Sequence, residues 1–437
     1  MGDLVEKVKS AGVVGAGGAG FPTHVKYQAK VEYVIANGAE CEPLLYCDQS
    51  LMALEAEKIV AGLRLAVEQV QAKAGFIALK AKYRSAKGAL EKAIKGCANI
   101  HLHTMESFYP AGDEQVLVYE VLGRVVPEGG IPLQVGVVVN NVATLVNVAQ
   151  AHEGIAVTRR WLTIHGEVKN PLTCELPVGT LIGEAIALAG GALTDDYTIL
   201  VGGPMMGVVG SDNDPVTKTT SGILVLPPEH PHILRKVQHP NGILRRSKAS
   251  CDQCMYCTEL CPRYLLGHAM KPHLIMRSIP YGIADSTIAT SSYLCCECGL
   301  CTFYACPLFL SPGMINAMLK KELGGKNVKN PHRRADVSPY PFRDERKIST
   351  RRLLERIGLS RYDAPAPFVR TDYMPTRVRI PLKQHLGAPA LPAVKAGAMV
   401  REGDLVGEIP EGKLSARVHA SIPGMVMEAE GEIVIER

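Results

Sequence analysis

The sequence predicts a multidomain chain of mixed α/β and α+β class, and three observations carry that prediction. Short apolar runs alternate with amphipathic helical stretches through residue 155, the pattern of a mostly parallel sheet. Two cysteine runs follow, C-D-Q-C-M-Y-C-T-E-L-C-P from Cys251 and C-C-E-C-G-L-C-T-F-Y-A-C-P from Cys295. Beyond residue 376, apolar and polar residues alternate and break at glycines, as in a small all-β module. A length of 437 residues fits several domains of roughly 100 to 200 residues each. With 47% hydrophobic and 21% charged residues the chain reads as globular, and it has no apolar run of about 18 residues to span a membrane. A net charge of +5, on 48 basic and 43 acidic residues, is too balanced to imply nucleic acid. The charged start, Met1 to Ser10, does not read as a signal peptide, so a reduced, cytoplasm-like compartment is expected.

Taken in order, Asp3 to Ser10 reads as a short helix leading into G-A-G-G-A-G-F-P-T-H-V-K, Gly15 to Lys26. Gly15, Gly17 and Gly20 satisfy G-x-G-x-x-G, and Glu40 falls about twenty residues later, but a dinucleotide fingerprint must follow a buried strand rather than a helix. The glycines, Gly18 among them, supply a loop whose N–H groups can approach a phosphate or ring without Cβ interference, and Lys26 adds a cation; a plain glycine turn is the alternative. Val31 to Ala36 reads as a strand ending in Asn37, Glu40 and Glu42, polar groups at the carboxyl edge where open α/β sheets bind ligands. A helix over Leu51 to Ala72, a strand at Gly75 to Lys80, a helix at Ser85 to Gly96 and a strand at Ile100 to Thr104 follow. Y-P-A-G-D-E-Q, from Tyr109, opens a helix to Leu122 with Asp113 and Glu114 in its first turn. Val135 to Val139 is a further buried strand, ending in N-N-V-A-T at Asn140 to Thr144, which opens another helix.

From Trp161, two β runs around one short helix predict a small α+β module, and Gly202, Gly203 and Gly207 suggest close backbone approach to the preceding domain, with simple turns as the alternative. Pro227 to Ser250 reads as a linker. The first cysteine run has the C-x2-C-x2-C-x3-C-P spacing of bacterial two-cluster ferredoxins, in which the fourth thiolate crosses to the other cluster. That rule assigns Cys251, Cys254, Cys257 and Cys306 to one [4Fe-4S] cluster and Cys295, Cys298, Cys301 and Cys261 to a second. The second run departs from the pattern: four residues, not three, separate Cys301 from Cys306, and Cys296 rivals Cys295. Paired zinc sites or disulfides are the alternatives, but zinc gives no reason for a third cysteine followed by C-P. Between the runs, His268 to Ser278 reads as helix, and thiolates leave no need for His268 or His273 as ligands. Lys326 to Tyr373 reads as a basic strap with one helix near Thr350 to Ile357, its charges solvated. Cys41, Cys47, Cys97 and Cys174, outside the cysteine runs, default to small buried hydrophobes.

Four stretches in this order, Gly15 to Lys26, Asn37 to Pro43, Tyr109 to Glu114 and Asn140 to Thr144, resemble the FMN and NADH site of the respiratory complex I flavin subunit and of its relative, the C subunit of the membrane Rnf complex. The resemblance implies that Gly15, Gly17, Lys26, Asn37, Gly112, Asn140, Asn141 and Thr144 hold FMN, with Lys26 at its phosphate. It places Phe21, Glu42 and Glu114 at the nicotinamide side; Gly18, Glu40, Tyr109 and Asp113 lie in the same stretches and complete the expected cofactor-binding set. Two departures weigh on the NADH side: complex I has an acid where Ala39 stands and glutamate where Asp113 stands. The module after residue 155 resembles the soluble-ligand-binding β-grasp (SLBB) module, and the last segment resembles a barrel-sandwich domain of the biotinyl and lipoyl class, with Lys413 only loosely imitating a carrier lysine and docking the better role. The domains expected are thus 1–155 (FMN/NADH), 156–228 (β-grasp), 240–325 (two-cluster ferredoxin), 326–375 (linker) and 376–437 (barrel-sandwich).

Over essentially the whole chain the module order is similar to the cobalamin-reductase family of propanediol-utilisation microcompartments. That resemblance implies an NADH-dependent oxidoreductase passing electrons through FMN and the clusters to cob(III)alamin and cob(II)alamin, with no side chain required as acid or base. It also implies a cobalamin adenosyltransferase and a shell protein as partners, inside a bacterial microcompartment. An Rnf-type or amino-acid-reductase subunit, and an electron wire without NADH activity, are the alternatives.

Overall fold

The computed structural model describes residues 2–282 and 286–437; Met1, and residues 283–285 within the expected ferredoxin module, lie outside the described residues. Five strands open the chain: β1 (Tyr33–Gly38), β2 (Ala74–Lys80), β3 (Ile100–Met105), the short β4 (Phe108–Tyr109) and β5 (Val137–Asn141). All but β4 form a parallel sheet in the order β3-β2-β1-β5. Val34, Ile35 and Ala36 are wholly buried, as a parallel strand covered by helices on both faces requires. The chain winds outward from β1 to β3 and then returns to place β5 on the other side of β1. That reversal opens a crevice at the carboxyl ends of β1 and β5, where register sets Asn37 opposite Asn141.

The helix expected over Leu51 to Ala72 is two, Cys47–Leu54 and Ala56–Gln69, broken at Glu55 (φ −119°, ψ 29°). The first packs mainly on the helix Arg84–Ala93 and the second mainly on Val142–His152. The second pair meets at Gly62, where an added Cβ would lie 2.0 Å from the Leu145 carbonyl oxygen.

The β-grasp unit carries β6 (Arg159–Gly166), β7 (Leu172–Pro177), β8 (Thr198–Val201), β9 (Val208–Gly210) and β10 (Gly222–Leu226) in the order β7-β6-β10-β8-β9, with the helix Ile182–Leu188 between β7 and β8. The stretch expected as a linker is instead largely helical, over Pro231–Lys236 and Pro240–Ser250. His230 and His239 each cap one helix, accepting from the N–H of His232 and Asn241, with proline at the first helical position. The two His-Pro pairs are therefore start signals, not linker punctuation. Likewise the helix expected from His268 starts at Pro272 and runs to Tyr281.

The basic strap is only partly solvated: Arg343 and Lys347 are largely covered, while most of its other cations stay exposed. It adds β11 (Ile348–Ser349) antiparallel to β4. Arg343 is buried and pairs with Glu120, which also takes Lys347, while Arg334 neutralises the buried Glu128. Glu128 is buried and Glu120 largely covered, so their carboxylates need these cations and the strap is bound rather than loose. The last unit, β12 (Arg377–Pro381), β13 (Leu391–Pro392), β14 (Met399–Val400), β15 (Leu405–Glu408), β16 (Val418–His419), β17 (Gly424–Glu430) and β18 (Glu432–Glu436), forms two small sheets, β12-β18-β17-β14 and β13-β15-β16. It docks inward. Gly20 (φ +66°) lies so close to it that an added Cβ would sit 2.9 Å from the His385 Cα. The buried Lys218 ammonium joins three units, donating to the carbonyls of Gly12 at 2.7 Å and Arg417 at 2.8 Å. Lys413 is an exposed turn residue between β15 and β16.

Replacing Gly62 by alanine must push the Ala56–Gln69 and Val142–His152 helices apart. Gly62→Ala should lower unfolding stability by about 3 kcal/mol, read as an earlier thermal transition of the first unit; an unchanged transition would show that the helix contact is not tight.

Candidate functional site

A cavity of about 760 Å³ opens at the sheet's switch point, and every residue expected to bind a cofactor lines it: the Gly15, Gly17, Gly18 and Phe21 loop, Lys26, Asn37, Glu40, Glu42, Tyr109, Gly112, Asp113, Glu114, and Asn140, Asn141 and Thr144. β1 and β5 deliver the asparagines because both strands end there, and the helix that starts at Val142 places Thr144 one turn deeper. The first unit forms only part of the wall. Arg160, Thr217, Thr219, Thr220 and Ser221 of the β-grasp unit face it, as does the loop from Val201 to Val208. The hydroxyl-rich run T-K-T-T-S carries the sequence signal for that second wall, and no argument from motif spacing picks it out.

Several expected cofactor residues are already engaged by protein. Asn141 caps its helix through the Ala143 N–H and donates to Asp48 at 2.8 Å; Thr144 accepts from the Ala16 N–H at 2.9 Å. Asn37 donates to the Gly112 carbonyl at 2.9 Å, which fixes the Tyr109–Glu114 turn against β1. Lys26 reaches the Val139 carbonyl at 3.0 Å and Glu114 at 3.2 Å. Asp113 caps the helix Glu114–Leu122 and pairs with Arg263 of the cysteine-rich unit at 2.9 Å. Asn140 differs: its amide nitrogen is buried in the cavity wall, makes no hydrogen bond of good geometry, and has the equally buried Tyr27 hydroxyl as its side-chain neighbour. Gly18 (φ +130°) leaves its missing Cβ direction open. A weakly held buried amide, a bare glycine loop and a cation around one large cavity fit a phosphorylated planar ring such as FMN.

Glu40, Cys47 and Asp48 form a buried cluster beside this cavity. The Glu40 carboxylate accepts from the N–H groups of Asp48 (2.8 Å) and Gln49 (3.1 Å), capping the helix start, so its oxygens serve the backbone. Burial first, then the Asp48 charge, push Glu40 up to about 7. Burial also pushes the Cys41 thiol up to about 11, in keeping with a packed rather than reactive cysteine.

The cysteines sort into two pockets. Cys251, Cys254, Cys257 and Cys306 line one, and Cys261, Cys295, Cys296, Cys298 and Cys301 line the other. The extra residue before Cys306 is taken up by a π-helical turn over Cys301–Ala305, which brings Cys306 back to the first group. His273 borders the first pocket but its Nδ1 is 2.7 Å from the Thr258 hydroxyl, and His268 Nε2 bonds the Val126 carbonyl. Thiol-only donor sets of this kind suit iron–sulfur clusters. Cys295 and Cys296 both face the second pocket, so the rivalry between them persists in the fold.

One loop separates the large cavity from the second cysteine pocket, and both sides of it are pinned. Glu42 accepts from the N–H groups of Met205 (2.8 Å) and Met206 (2.7 Å); Lys236 donates to the carbonyls of Met205 (3.1 Å) and Gly207 (2.7 Å). Gly203 permits the approach, since a Cβ there would lie 2.3 Å from a Glu42 carboxylate oxygen. Gly203 thus marks close contact with the first unit, whereas a Cβ at Gly202 or Gly207 would meet only the backbone of their own loop, so these two serve its turn. Loss of two charge-assisted bonds, each worth roughly 1.5–3 kcal/mol, should free the loop: Glu42→Ala is expected to speed hydrogen exchange at Met205 and Met206 by about tenfold or more. Unaltered protection there would show that Glu42 does not hold the loop.

Comparison with known proteins agrees with this architecture. Residues 8–150 match the Nuo51 FMN-binding domain, 162–209 the SLBB domain, 250–311 the 4Fe-4S dicluster domain and 365–436 the RnfC barrel sandwich hybrid domain. FMN and 4Fe-4S clusters are therefore the cofactors of this domain set. The Cobalamin reductase PduS of Citrobacter freundii is 45% identical over 431 residues, covering 97% of this chain and 94% of that protein. Its namesake from Salmonella typhimurium is 44% identical over 430 residues with the same coverage. The C subunit of the Na(+)-translocating ferredoxin:NAD(+) oxidoreductase complex of Acetobacterium woodii is 40% identical over 271 residues, 60% of this chain and 58% of that one. With the PduS identity running along nearly its full length, the chain belongs to the PduS cobalamin reductase family.

Proposed function

We propose that this chain is an NADH-dependent flavo-iron-sulfur oxidoreductase that passes electrons through FMN and two 4Fe-4S clusters to cobalamin. One observation carries the reading: the large cavity and the second cysteine pocket share Met206, Gly207, Val208, Cys296 and Cys298 as wall residues. FMN, when bound, exchanges electrons in pairs with a nicotinamide and singly with iron–sulfur clusters. In this reading Asn140, the Gly15–Gly20 loop and Lys26 hold and orient the flavin, with Lys26 leaving Glu114 for the phosphate. Phe21 offers a ring face to the nicotinamide. Tyr109 ties the two sites together, donating from its hydroxyl to the Cys298 carbonyl at 2.6 Å. Cys261, Cys298 and Cys301, with Cys295 or Cys296, hold the nearer cluster. Cys251, Cys254, Cys257 and Cys306 hold the farther one.

The names of the full-length relatives support cobalamin as acceptor. A role in coenzyme recycling for propanediol degradation inside a microcompartment, next to an adenosyltransferase and a shell protein, belongs to the same proposal. Among the described residues no helix is long and apolar enough to cross a membrane. A second reading, an electron-transfer subunit without NADH activity, is favoured by one observation: Glu42, Asp113 and Glu114 are all engaged by protein partners.

Anaerobic titration with NADH separates the two readings. The flavin absorbance should bleach and a reduced-cluster EPR signal should grow in; a flavin that stays oxidised would sink the dehydrogenase reading. Iron analysis should give about eight atoms per chain, and Cys306→Ala about four with the cluster at Cys251, Cys254 and Cys257 lost. Selective loss of the other cluster would overturn the crossed ligand assignment.

A further inference from the structure

We propose that Arg235 and Arg356 are positioning residues for the cluster bound through Cys306: they fasten the widened turn that delivers this cysteine and set the cluster's reduction potential by their charge. The proposal rests on the ligand assignment made above. A π-helical turn of five residues, Cys301–Ala305, leaves carbonyls without helical partners. Two guanidiniums take them. Arg235 donates to the carbonyls of Thr302 and, at 3.3 Å, Phe303; Arg356 donates to those of Tyr304 at 3.2 Å and Cys306 at 3.0 Å. Neither arginine belongs to the cysteine-rich unit: one lies in the last turn of the helix Pro231–Lys236 after the β-grasp, and the other ends Thr350–Arg356 in the strap. Between them lies Phe309, with its ring centroid 5.3 Å from Arg235 and 4.4 Å from Arg356. Phe309 holds a left-handed backbone (φ +54°), and the N–H of its neighbour Leu310 points at the Cys306 sulfur at 3.3 Å.

The charge argument is independent of the grip. Among the described residues neither guanidinium pairs with a carboxylate; Glu355, next to Arg356 in sequence, holds Arg351 instead. Two close cations without an acid partner call for a negative group, and a thiolate-bound cluster at Cys306 is one. A cubane with four thiolates is dianionic when oxidised and trianionic after gaining one electron, so nearby positive charge favours the reduced form. Forked, planar arginine can grip two carbonyls while supplying that charge.

The test is a mediated redox titration of the full-length, cluster-loaded protein followed by EPR, with iron counted. Arg235→Gln and Arg356→Gln should keep about eight iron atoms. Each should lower the reduced-to-oxidised ratio of one cluster about tenfold at fixed potential, which is ~59 mV for a one-electron couple. The other cluster should not move, and Arg235→Lys and Arg356→Lys should stay near the parent. Full iron with unmoved potentials in the glutamine variants overturns the proposal, as do lysine variants that shift as far as glutamine. Should the glutamine variants lose iron, the lysine variants decide: parent iron and potential support the charge role, and iron loss in them overturns it. If Cys306→Ala spares the arginine-sensitive cluster, the ligand assignment fails while the arginine effect stands.

Discussion

The carboxylate of Glu42, held by two backbone N–H groups of a neighbouring unit, is the contact on which the rest of the arrangement depends. It sits just past the carboxyl end of β1, the strand that defines the sheet's crevice, and it grips the Gly203–Met206 loop of the β-grasp unit. From the other side Lys236 holds the same loop through its carbonyls. The loop is therefore a wall of fixed thickness with a cofactor-sized cavity on one face and cysteines on the other. Burial raises the Glu42 carboxyl above its ordinary range, while the two amide donors oppose the shift, so the ionised form is anchored only where the loop is in place.

Around this wall the remaining units act as clamps. The strap brings Arg343, Lys347 and Arg334 to buried acids of the first unit, and Arg263 of the cysteine-rich unit pairs with Asp113 at the cavity's edge. Removing the cation of such a pair strands a covered carboxylate, so each pair fixes relative placement more than it adds stability. The barrel unit closes the glycine loop from outside through Gly20 and through Lys218, whose three-way contact gives that unit a role within the chain. Electron transfer between two cofactors needs a constant separation. These clamps supply it.

The cysteine-rich unit shows how a local irregularity is accommodated. An additional residue in a ligand run would rotate the next thiol away from its partners in an ordinary helix. Widening one turn to π geometry absorbs the residue and returns Cys306 to Cys251, Cys254 and Cys257. The widened turn then needs acceptors satisfied from elsewhere, which Arg235 and Arg356 provide.

Features that depend on local spacing are legible in the chain before it folds. The parallel sheet follows from apolar strands such as Val34 to Ala36, the cofactor crevice from polar groups at strand ends, and the two thiol sets from C-x2-C-x2-C periodicity. All of these are near-neighbour patterns that the backbone converts directly into geometry. Even the His-Pro helix starts are legible in principle. Features that depend on distant partners emerge only on packing: Glu42, Asp113 and Glu114 face protein groups, Arg343 is buried, the T-K-T-T-S run completes the cavity, and one helix breaks at Glu55. A charge or hydroxyl reads the same in sequence whether it meets water, a cofactor or a buried counter-charge. The difference is set by residues far away in the chain, 88 positions for Glu114 and Lys26 and 164 for Glu42 and Met206, and becomes fixed only when the units pack.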